Sequence, residues 1–142
     1  MVNPQTQAEK LTKINPKRLQ AIAEYGCCAF VLLWCLGIEP DDIKAIVTLD
    51  NMMDAKALDK ECLVYWDKAV SYLTGRRCNV TKENITTIKN IKERTPVRYE
   101  YNGLSHWVGV EDGEIKFNSL KRSQCVELGE PKEMRILKIS GV

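Results

Sequence analysis

Gly26-Cys27-Cys28-Ala29-Phe30-Val31-Leu32-Leu33-Trp34-Cys35-Leu36-Gly37 is the stretch whose reading decides the fold. Ten residues without a charge stand between its two glycines. A helix with no polar face is stable only when other elements surround it, so the rest of the chain is expected to fold around this one. Just upstream, Pro16 suits a first helical position, and Lys17 to Glu24 carries Leu19, Ile22 and Ala23 at helical spacing. Downstream, Pro40-Asp41-Asp42 supplies an acidic first turn for a third helix through Ile43, Ile46, Val47 and Met53. A fourth is expected from about Lys60 to Leu73, with Leu63, Trp66, Val70 and Leu73 on one stripe and Gly75 as the stop.

After Arg77 the pattern changes. Val80, Ile85 and Ile88 suggest a short strand and a turn of helix, and Pro96 restarts the chain as β structure. Val97 to Tyr101 and Leu104 to Val110 alternate around the hairpin turn Asn102-Gly103. Asp112-Gly113 makes a second turn before Ile115 and Phe117, and Arg135 to Ile139 reads as the last strand. Helices followed by an antiparallel sheet predict an α+β fold in one domain spanning residues 1–142.

Composition narrows the function classes. Lys and Arg sum to 21 against 19 Asp and Glu, a net charge of +2, which gives no reason to expect a nucleic-acid partner. The longest uncharged run, Tyr25 to Ile38, has 14 residues, short of the about 20 that cross a bilayer, so no membrane span is expected. With no secretory pattern at Met1 to Asn15, the expected compartment is the cytoplasm. Cys27, Cys28, Cys35, Cys62, Cys78 and Cys125 are then expected to be reduced. With no C-x-x-C pair and a single histidine, the sequence predicts no metal site.

Three residues stand where chemistry needs them. Cys27 opens the buried helix, where the dipole and free N–H groups favour a thiolate and a developing oxyanion. Cys27 and Cys28 are expected to face different ways, because one helical step turns a side chain by about 100°. His106 starts the apolar strand Trp107 to Val110, a rigid and shielded position for a general base. Asn118, followed by Ser119, ends the next strand, where an amide oxygen can fix the imidazole tautomer. Hairpin register tests that pairing. A three-residue loop Glu111-Asp112-Gly113 sets His106 opposite Asn118, whereas the two-residue loop Asp112-Gly113 sets it opposite Ser119 and turns Asn118 away. The three-residue loop is preferred because Glu-Asp-Gly suits a type I turn plus bulge.

Cys27-Cys28-Ala29-Phe30, His106-x-Val108-x-Val110 and Asn118-Ser119, in that order, resemble the papain-like cysteine peptidase clan. The likeness extends to its small bacterial members, the double-glycine leader peptidases and the cell-wall cysteine endopeptidases and amidases. The resemblance implies a cysteine-bearing helix packed on a sheet. It implies thiol-dependent hydrolysis of a peptide or amide bond, with Cys27 as nucleophile, His106 as base and then acid, and Asn118 as orienter. It implies a peptide or peptidoglycan-like substrate and no cofactor. The clan's oxyanion glutamine stands six residues before the cysteine; Gln20, the candidate here, stands seven before it. The readings that compete with an enzyme are a catalytically silent binding module on the same fold and a regulatory factor from a mobile element.

Overall fold

The structure, a computed structural model, describes residues 1–11 and 17–141; Pro16 lies outside the described residues. Five helices come first: α1 Pro4–Leu11, α2 Lys17–Tyr25, α3 Cys27–Cys35, α4 Asp42–Asp54 and α5 Trp66–Thr74. Strands β1 Cys78–Asn84, β2 Thr95–Tyr101, β3 Leu104–Glu111, β4 Glu114–Phe117 and β5 Glu130–Ile139 follow, with the short α6 Gln124–Leu128 before the last. They form one antiparallel sheet in the order β1-β5-β2-β3-β4. The fold is α+β with the sheet C-terminal, and β5 is inserted between β1 and β2.

Seven of the nine residues of α3 are buried, and Phe30, Val31, Leu32 and Leu33 are wholly enclosed. That is the outcome its missing polar face requires. Its closest support is β3: a Cβ at Gly109 would collide with the indole of Trp34, so glycine there lets the helix lie directly on the strand. Trp34 also stacks on Phe117 at 6.0 Å and lies 4.4 Å beneath the Arg94 guanidinium. The opposite face of the sheet has its own core of Ile91, Val97, Tyr99, Val108, Val110 and Cys125. Among the described residues no single helix is long and apolar enough to cross a membrane.

Residues 85–88 form no turn of helix and the last strand begins at Glu130, five residues before the expected Arg135; two further expectations also fail locally. The fourth helix starts at Trp66, not Lys60, because residues 59–64 are held in a turn: Asp59 Oδ1 accepts from the N–H groups of Glu61 and Leu63, and Cys62 is left-handed at φ +60°. The second hairpin uses the two-residue turn. Asp112 and Gly113 have φ of +53° and +73°, a type I′ pattern, and Glu111 pairs with Glu114.

Candidate active site

By counting alone, the two-residue turn should point Asn118 away from His106. A β-bulge prevents this. Val110 pairs with Ile115 but Gly109 pairs with Phe117, so Lys116 is the extra residue and the inside-outside parity flips once more before Asn118. The register is thus corrected within β4, and His106 Nε2 lies 2.7 Å from Asn118 Oδ1. An amide oxygen only accepts, so Nε2 carries the proton and Nδ1 is left as the basic nitrogen. Deleting Lys116 should remove the bulge and break this bond in a folded protein. The single histidine offers a clean proton-NMR titration: the Asn118 bond raises its pKa, so the deletion should move the midpoint down.

His106 is 4% exposed, and burial holds its pKa below the usual 6.5, with the Asn118 bond acting the other way. A depressed folded-state pKa means that the unfolded chain takes up its proton first as pH falls. Stability from this group is therefore present above about pH 6.5 and lost as pH falls through the folded value. The urea midpoint should decline below pH 6.5, and His106→Gln should flatten that part of the profile.

Cys27 reaches the same strand by a different route from the one expected. Trp107 and Gly109 pack toward α3, whereas His106 shares its face with Val108 and Val110. β4 pairs only with Gly109, Val110 and Glu111, leaving the start of β3 without a strand on that side. There the main chain of Trp107 lies close enough to the Cys27 sulfur to lower its pKa, as do the N–H groups of Cys28 and of Cys27 itself. The thiol thus lies near the main chain of Trp107, the residue that follows His106. Among the described residues it makes no hydrogen bond to the imidazole. Burial pushes its pKa up and these main-chain groups pull it down, with burial the larger, so the resting group is a thiol and not the thiolate that a helix N-terminus alone would favour.

Gln5 is a participant that sequence spacing missed. Its side chain is buried and bridges two sides of the site: Nε2 donates to Ala23 O at 2.9 Å, and Oε1 accepts from Ser119 Oγ at 2.7 Å. Ala23 O is the carbonyl that the N–H of Cys27 would use if α2 ran on through Gly26. The bond from Gln5 satisfies that carbonyl where α2 ends. The same N-terminal segment grips the other side: Asn3 Nδ2 donates to Asn118 O, and Gln5 N and Thr6 N donate to Ser119 O.

No family model, curated protein or solved structure matches this chain.

Gln20, the candidate oxyanion donor, is exposed on α2 and is not among the residues that line the cleft at Cys27. Cys28 departs from expectation too. It lines the same cleft of about 340 Å3 as Cys27, with Cys62, Trp66, Ser105, Trp107 and Arg135. A cleft that wraps the helix end takes in both side chains although they diverge. All six cysteines are free thiols.

Proposed function

We propose that the chain is a papain-like cysteine hydrolase that cuts a peptide or amide bond, with Cys27, His106 and Asn118 as its triad. The observation that supports this reading is the 2.7 Å bond from His106 to Asn118, which leaves Nδ1 as the free basic nitrogen, with the Cys27 thiol near the main chain of the adjacent Trp107. His106 takes the thiol proton as the sulfur attacks the carbonyl carbon, and the N–H groups of Cys27 and Cys28 receive the oxyanion. The imidazolium then protonates the leaving amine, and the acyl-thioester is hydrolysed by a water that His106 deprotonates. Because both groups rest neutral, attack and proton transfer are coupled, and the sulfur and imidazole must close together when substrate enters. Catalytic contacts that are long in empty sites commonly tighten in this way.

One observation favours the silent binding module: a thiol 8% exposed, shifted up by burial and without a bond to the imidazole. Site-resolved alkylation near neutral pH separates the two. A hydrolase should show one cysteine modified far faster than the other five; a binding module should show none singled out. Asn118→Ala tests the triad within the first reading. Nucleophile and base remain, so turnover should fall by about tenfold to a hundredfold, the range for lost support of an orienting bond. Wild-type turnover would leave a Cys27–His106 dyad.

A further inference from the structure

The cleft at Cys27 and Cys28 has a cationic floor. Arg135 lies over Trp66 at 5.0 Å and beside Trp107 at 5.9 Å, with the two indole rings 5.4 Å apart. Its Nε donates to Glu133 Oε2 at 3.1 Å, and Glu133 is 4% exposed, so the guanidinium is pinned from behind as well as from below. Among the described residues its Nη1 and Nη2 have no partner, and neither has the indole N–H of Trp66 or Trp107. Arg135 and the two indoles thus offer donors only, and the acceptors in the cleft lining come from other residues.

The cluster of charges around Glu133 carries one positive charge in excess. Lys82, Arg98 and Arg135 all pair with Glu133, while Glu100 takes a second bond from Arg98: three cations share two carboxylates. Three acids, Glu24, Asp59 and Glu61, also line the cleft. Glu24 and Glu61 are exposed, where water and salt screen them, and Asp59 Oδ1 is already engaged by two main-chain N–H groups. The half-buried guanidinium is screened less and has a fork free, the arrangement that takes a carboxylate by two parallel bonds.

We propose that Arg135, on its tryptophan floor, is the anchor of a carboxylate-binding subsite next to the reactive thiols, so that the substrate is a peptide bearing a carboxylate close to the bond cut. This rests on the hydrolase reading for its function, but its test needs no turnover. Iodoacetate and iodoacetamide deliver the same alkyl group with and without a carboxylate. Their rate ratio at Cys27 and Cys28, resolved by mass spectrometry and normalised to glutathione, should exceed one by about tenfold in the wild type, the worth of one good charge-assisted contact. Arg135→Gln should bring the ratio to that of glutathione, and Arg135→Lys, which keeps the charge if the fork is lost, should retain a preference. N-acetylglutamine and N-acetylglutamic acid α-amide then distinguish a terminal from a side-chain carboxylate by which one slows alkylation by iodoacetamide. An unchanged ratio in Arg135→Gln, or protection by neither compound, overturns the proposal. Failure of the hydrolase reading has a different signature: no hydrolysis that depends on Cys27, whatever the alkylation ratio.

Discussion

On the proposed hydrolase reading, Cys27→Ser should abolish hydrolysis, a loss of roughly four orders of magnitude or more, because members of a triad fail together. The measurement is cleavage of a quenched peptide library or of peptidoglycan stem peptides by wild type and variant. The critical comparison is Cys28→Ser. Both residues line the cleft, but only the Cys27 thiol has its pKa lowered by the main chain of Trp107, the neighbour of His106. Cys28 contributes its N–H, which serine retains, so Cys28→Ser should remain within a few-fold of wild type. His106→Ala should match Cys27→Ser. If Cys28→Ser is the inactive variant, the nucleophile has been misassigned; if neither change matters, there is no thiol enzyme.

Trp34→Ala has the largest expected effect on stability. The indole is 4% exposed, stacks on Phe117, lies under Arg94 and fills the space that Gly109 leaves open. Removing a buried aromatic of this kind costs about 3–5 kcal/mol. That is a large part of the about 5–15 kcal/mol that holds a domain together. Urea unfolding should show a midpoint lowered by the corresponding amount. Gly109→Val should be destabilising for the opposite reason, since the added methyls have nowhere to go. A Trp34→Ala protein as stable as wild type would mean that α3 is not held on β3 through this contact.

The parts of the fold that were legible are those in which local pattern and burial agree. The charge-free run Cys27–Cys35 required enclosure and received it, and Asn102-Gly103 and Gly75 fixed a turn and a helix end by their positive φ. The His106–Asn118 pair was legible as two residue types at strand ends, but the route to it was not. A bulge at Lys116 leaves no mark in composition, and a preference for the three-residue turn arrived at the right pair through the wrong geometry. The start of α5 was hidden because Asp59 diverts the chain through a side-chain bond that competes with the helical pattern of Leu63 and Trp66. Gln5 was illegible for a different reason. Its partners Ala23 and Ser119 are 18 and 114 residues away, and nothing in its neighbours marks a buried amide.

The insertion of β5 between β1 and β2 has a consequence for how the protein is made. Synthesis runs from the N-terminus, so β1 to β4 leave the ribosome before the strand that joins β1 to the rest exists as accessible chain. Until residues 130–139 emerge, β1 has no strand to pair with, and Arg98 lacks the buried carboxylate of Glu133. Closing such long loops costs entropy before the contacts that repay it are made, which slows folding and favours a late, concerted step. Assembly of this sheet is therefore coupled to the emergence of residues 130–139: a nascent chain stalled before β5 holds its helices and the β2–β3–β4 hairpins but not the finished sheet.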